Sequence, residues 1–193
     1  MRISGGQARG ITLLVPKGDK VRPATDGMRQ AVFSSLAARL PGVRFLDLFA
    51  GSGSYGLEAF SRGAAGGIFI ERNPKAVACL RQNIIAVSRS MQTGTGELDV
   101  TAADAVQAPW SYAVPPDLVF IDPPYEMISE LAPRLFARLT ELLAPHPDPV
   151  IVFEMPGELT LEPPGWSMVR RLGKGAHQPT VAFFRRTDAV SSR

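Results

Sequence analysis

The sequence predicts an α/β protein built on a doubly wound, mostly parallel sheet. Three observations predict it. From residue 43 onward short apolar runs alternate with amphipathic stretches, a glycine-rich turn follows the first of those runs, and acidic residues stand at or just after the ends of several of them. A chain of 193 residues is enough for one such domain with a full core.

The first 24 residues are rich in Gly, Arg and Lys, with a short apolar run from Ile11 to Val15 between turn signals. They read as a basic β-hairpin or extended arm. Thr25 is placed to cap a helix from about Asp26 to Leu40, where Met28, Val32, Leu36 and Leu40 recur on one face and Pro41-Gly42 ends the run. Val43 to Phe49 is a compact apolar strand, and Gly56 to Arg62 begins a helix. Gly67 to Ile70 is the next strand, with a helix from about Pro74 to Val87 behind it. Leu98 to Ala102 follows the loop SMQTGTGE as a third strand. Leu118 to Ile121 is apolar on both faces, as a central parallel strand should be. Ile128, Leu131, Leu135, Leu139 and Leu142 mark a further amphipathic helix, and Val150 to Phe153 a fifth strand. Met168 to Leu172 and Thr180 to Arg186 have no helix between them, so they should form an antiparallel hairpin at one edge.

Composition excludes several classes of chemistry. No stretch approaches the roughly 20 apolar residues that cross a bilayer, and MRISGGQARG has no apolar signal core, so a cytoplasmic protein is expected. Cys79 alone allows no intrachain disulfide, and with His146 and His177 as the only histidines no zinc site can be written. Cys79 also lies inside the helical run NPKAVACLRQNI, which makes it a structural thiol rather than a nucleophile. Charge is uneven. Residues 1–44 carry eight basic side chains against Asp19 and Asp26, net +6, whereas the remaining residues are net −3. Such asymmetry suits a basic platform for a polyanion beside a near-neutral body.

The segment Leu46-Asp47-Leu48-Phe49-Ala50-Gly51-Ser52-Gly53 is a strand running into a turn that opens a helix. Gly51 and Gly53 let the backbone approach a ligand closely. The pattern alone fits dinucleotide enzymes equally well. Asp47, inside the strand, can meet the ammonium of a methionine-type ligand, and Glu71, at the end of the second strand, can accept both ribose hydroxyls. Asp104, after the third strand, can address an adenine amine, with Ala105 adding backbone contacts.

Asp122-Pro123-Pro124-Tyr125 directly follows the apolar strand LVFI, which puts it at the same sheet edge. An amine conjugated to a nucleobase is a poor nucleophile because its lone pair is delocalised. If the Asp122 side chain and the Pro123 carbonyl each accept one N–H, the lone pair is left to point at an electrophilic methyl carbon. Pro123 and Pro124 fix the loop, so the acceptors are positioned in advance. Tyr125 offers a face on which a flipped base can stack.

DLFAGSG, IER, AAD and DPPY, in this order, resemble the amino-methyltransferase branch of the S-adenosylmethionine-dependent enzymes. RISGGQARG and RPATDGMRQAVF are further similar to the start of the bacterial ribosomal small-subunit methyltransferase D family. That resemblance implies a seven-stranded sheet with an N-terminal arm and methylation of N2 of one guanine in 16S ribosomal RNA. It further implies a partly assembled small subunit as the substrate particle; a direct displacement from sulfonium needs no metal, in keeping with the shortage of His and Cys, and a monomer is expected. By the same resemblance Asp47, Phe49, Ala50, Gly51, Gly53, Glu71, Arg72, Asp104, Ala105 and Asp122 hold the cofactor, and Asp122 to Tyr125 hold the amine. Arg2, Arg9, Arg22, Thr25 and Arg29 face RNA or close over the site. Two departures are visible: Gln30 follows Arg29 where a glutamate is usual, and KGAHQPTVAFF lacks a Tyr-Gly before the last strand.

Other readings fit less of the chain. A DNA adenine or cytosine amino-methyltransferase usually needs a sizeable recognition region, for which there is no room beyond the arm. A protein-glutamine methyltransferase normally carries Asn where Asp122 stands. A nicotinamide oxidoreductase would need a hydride-transfer site that nothing after Glu71 offers. A non-catalytic RNA-binding relic would have no use for an intact DPPY.

Overall fold

The computed structural model describes residues 1–16, 26–110, 114–173, 175 and 178–190. Thr25 and Arg22, expected to cap the first helix and to face RNA, lie outside these residues. In chain order the elements are α1 (Asp26–Leu36), β1 (Arg44–Leu48), α2 (Ser54–Ser61), β2 (Gly66–Glu71), α3 (Pro74–Ser90), β3 (Leu98–Ala102), β4 (Leu118–Ile121), α4 (Ile128–Leu142), β5 (Val150–Pro156), β6 (Trp166–Leu172), β7 (Pro179–Arg186) and α5 (Thr187–Val190). Single 3-10 turns follow α1 at Ala37–Arg39 and precede α4 at Tyr125–Met127.

The seven strands form one sheet in the order β3-β2-β1-β4-β5-β7-β6. β1 to β5 are parallel, and β7 runs antiparallel to both β5 and β6. The expected edge hairpin therefore exists, with its second strand on the inner side. The predicted spans of β3, β4 and α4 coincide with the observed ones. The first helix is shorter than expected: its regular turns stop at Leu36 and a 3-10 turn carries the chain onward. β5 is longer than expected and runs on through Glu154 to Pro156.

Strand side chains alternate between two faces, and the core divides accordingly. Phe45, Leu118, Phe120, Val150 and Val152 pack against Phe33, Leu57, Leu80 and Ile84 of α1, α2 and α3. Leu46, Leu48, Val119, Ile121, Ile151 and Phe153 pack against Leu131, Leu135, Phe136 and Leu139 of α4. The same alternation places Asp47, Asp122 and Glu154 on the α2 side. In register, Phe120 pairs with Asp47 and Ile121 with Phe153, so Asp122 and Glu154 are the next step at the carboxyl edge.

The arm is part of this core. Arg2 bridges to Thr12 in antiparallel fashion, and the Ile3 N–H donates to the Ile11 carbonyl at 2.9 Å. Ile3, Ala8 and Leu13 are buried in the α1–α3 layer.

Candidate active site

The carboxyl ends of β1, β2 and β4 border a cavity of about 620 Å³, within the usual range for a small-molecule site. Phe49, Ala50, Gly51, Ser52 and Ser54 line it from the turn between β1 and α2. Ile70, Glu71, Arg72 and Asn73 line it from the end of β2, Ala105 from the loop after β3, and Asp122 to Glu126 from the loop after β4. Met1, Val15 and Pro16 of the arm complete the wall.

The glycine turn is shaped by backbone conformations that few residues adopt. Gly51 has φ 55° and Gly53 φ 87°. A Cβ on Gly53 would also sit 2.4 Å from Leu80 Cδ1, so this residue lets the turn lie against α3. Phe49 takes φ 61°, a strained choice for a bulky side chain and one that clusters at ligand sites. Glu71 ties the turn to the end of β2: one carboxylate oxygen accepts from the Gly51 N–H at 2.8 Å and the other from the Asn73 N–H at 2.7 Å. The acid is thereby fixed at the cavity wall, with lone pairs left for ligand hydroxyls.

Three of the expected cofactor residues stand back from the cavity. The Asp47 carboxyl is buried and accepts from the Gly56 N–H at 2.9 Å, at the start of α2. Burial, opposed by that N–H and reinforced by the charge of Glu71, raises its pKa to about 7. Gly53 is the residue from which α2 starts. Asp104 closes a turn by accepting from the Val106 N–H at 2.9 Å and pairs with Arg72 at 3.2 Å.

Asp122 and Tyr125 line the same cavity as the glycine turn, Asp122 standing one residue beyond Ile121, which pairs with Leu48 of β1. The Asp122 carboxyl is held well above the ordinary carboxylate range by burial, then by the charges of Glu154 and Asp47. Glu154 is buried and accepts the Tyr55 hydroxyl at 2.8 Å and the Tyr125 hydroxyl at 3.5 Å. Burial raises its pKa too, against the two hydroxyl donors. Glu154 thus joins the DPPY loop to α2. Sequence reasoning misses it by ending β5 at Phe153, although an acid inside the apolar run VIVFEM is a visible signal.

The basic residues expected to face RNA divide. Arg2 and Arg9 are exposed. Arg29 corrects the expectation of an RNA-facing residue. It is buried, bonds the Asp26 carboxylate at 2.7 Å and the Arg2 carbonyl at 2.6 Å, and lies 3.5 Å from Glu58. An inward-pointing cation on α1 answers a buried anion on α2. Glu58 also accepts from the Ser4 N–H and hydroxyl, each at 2.7 Å, and from Arg62 at 2.7 Å. Gly5 and Gly6 pass where a Cβ would strike the Arg62 guanidinium and the Ser61 carbonyl. The ISGG segment is therefore the arm's docking seam.

Two more residues shape the cavity and are missed by sequence reasoning. Arg138 of α4 stacks on Trp110 at 3.8 Å and donates to the Val106 and Ala108 carbonyls, which fixes the loop carrying Ala105. Asn83 of α3 is buried between the arm and the glycine turn. In each case a polar residue sits amid helical apolar spacing, a sign of a buried partner that the sequence does not name.

The family model described as "Conserved hypothetical protein 95" matches residues 1–184. Ribosomal RNA small subunit methyltransferase D of Escherichia coli is 38% identical over 125 residues, which are 65% of this chain and 60% of that protein. The Haemophilus influenzae protein of the same name is 28% identical over 91% of this chain and 89% of its own. The solved structure of Escherichia coli yhhF superposes with a TM-score of 0.77 at 31% identity, covering 96% of this chain and 97% of that one. The sheet order and these matches give the fold of S-adenosylmethionine-dependent methyltransferases. With the family model spanning nearly the whole sequence, the chain belongs to the Conserved hypothetical protein 95 family, the ribosomal RNA small subunit methyltransferase D family that its motifs resemble.

Proposed function

We propose that this chain transfers a methyl group from S-adenosylmethionine to the exocyclic N2 amine of a guanine in 16S ribosomal RNA, within a partly assembled small subunit. The observation that carries the reading is that Asp122 to Tyr125 line the same cavity as Gly51 and Glu71. A methyl-donor site and an amine-acceptor site are thus contiguous. Similarity to proteins named for small-subunit RNA methylation supports the RNA substrate.

S-adenosylmethionine supplies the methyl group when bound. Glu71, with its carboxylate already fixed, offers acceptors to the ribose, and the Gly51–Ser52 backbone leaves room for the chain of the methionine part. Tyr125 lies half-exposed at the cavity and presents a ring on which the guanine stacks. Asp122 and the Pro123 carbonyl each accept one hydrogen of the amine, which aims the nitrogen lone pair at the methyl carbon. Rate enhancement comes from holding the two reactants in line rather than from a covalent step.

Asp122→Ala removes one amine acceptor and none of the residues fixed around Glu71. Methyl transfer to small-subunit particles should be abolished, while S-adenosylhomocysteine affinity, read by calorimetry, stays within a few-fold. Full turnover by the variant would reject the assignment.

A further inference from the structure

Asn83 connects two walls of the cavity. Its Oδ1 accepts from the Leu14 N–H at 2.8 Å, and its Nδ2 donates to the Leu14 carbonyl and to the Ser52 carbonyl, each at 2.9 Å. The side chain is 1% exposed. A primary amide offers one carbonyl and two N–H groups, and here all three are matched to one N–H and two carbonyls. Ser52 lines the cavity from the glycine turn, and Val15 and Pro16, the residues after Leu14, line it from the arm. The earlier part of the arm is held separately, by Glu58 to Ser4 and by Ser61 to Gly5, Gln7 and Ala8.

We propose that Asn83 is a positioning residue that makes the distal arm the outer wall of the cofactor cavity, so that cofactor occupancy and order in residues 13–16 are linked. This rests on reading the cavity as the S-adenosylmethionine site. A ligand that contacts both walls stabilises the bridged state and is in turn bound more weakly when the bridge is missing.

The full chain, Asn83→Ala and Asn83→Asp are compared by S-adenosylhomocysteine calorimetry and by amide hydrogen exchange. Asn83→Asp keeps the size and the acceptor for Leu14 but sets an oxygen against two carbonyls. Both variants should bind S-adenosylhomocysteine roughly tenfold more weakly. In the parent protein the ligand should slow amide exchange at residues 13–15, and in the variants it should not. Exchange at residues 3–8 should be the same in all three. Parent-like affinity and ligand protection in the variants would overturn the linkage alone. Equal loss of protection at residues 3–8 would overturn it in favour of general loosening. Failure of the parent protein to bind S-adenosylhomocysteine would overturn the cavity reading and the linkage with it.

Discussion

At the scale of single residues, the site is governed by three carboxyls that strand alternation sets on one face. Asp122 lies beside Glu154 and accepts amine hydrogens better when ionised. Its pKa is raised by burial and then by the charge of Glu154, so the rate should rise with pH as Asp122 loses its proton. Glu154→Gln removes one cause of the rise, and the ascending limb of kcat/KM should move to lower pH. A pH profile with an unmoved limb would show that the two groups do not interact. Asp122 and Tyr125 are legible in the sequence because Asp-Pro-Pro-Tyr directly follows a buried strand. Glu154 is not, because a strand ended one residue short hides which face the acid takes.

At the scale of elements, strands and helices are legible wherever an apolar run is bounded by turns. β3, β4 and α4 are such cases. Burial of charge is less legible, since periodicity identifies the inward face of a helix but not the partner of an acid on it. Glu58 and Arg29 form such a pair, joining α2, α1 and the arm. Glu58→Ala would leave Arg29 buried with Asp26 as its one counter-charge among the described residues, and should lower stability by about 3–5 kcal/mol in denaturant unfolding. A loss below about 1 kcal/mol would mean that the arm docks by apolar packing alone. The glycines of RISGGQARG sit in a segment whose charge suggests a nucleic-acid surface, whereas the structure uses Gly5 and Gly6 to seat the arm on α2.

At the scale of the molecule, fold and cavity are legible because a parallel sheet gathers its loops at one edge. The division of labour within the basic segment is not. Ile3, Ala8 and Leu13 belong to the core, so deleting the arm would damage the fold, and its charge is better tested by substitution. Arg2→Ala with Arg9→Ala should weaken RNA binding and reduce its salt slope by about 0.7 for each phosphate that is no longer neutralised. An unchanged slope would place the RNA surface elsewhere. The most direct test of methyl transfer to guanine N2 is incubation of labelled S-adenosylmethionine with small-subunit particles, followed by nucleoside analysis. Label should appear in N2-methylguanosine and be absent with Asp122→Ala; label in a methylated adenosine or cytidine, or undiminished label with the variant, would refute transfer to guanine N2 through Asp122.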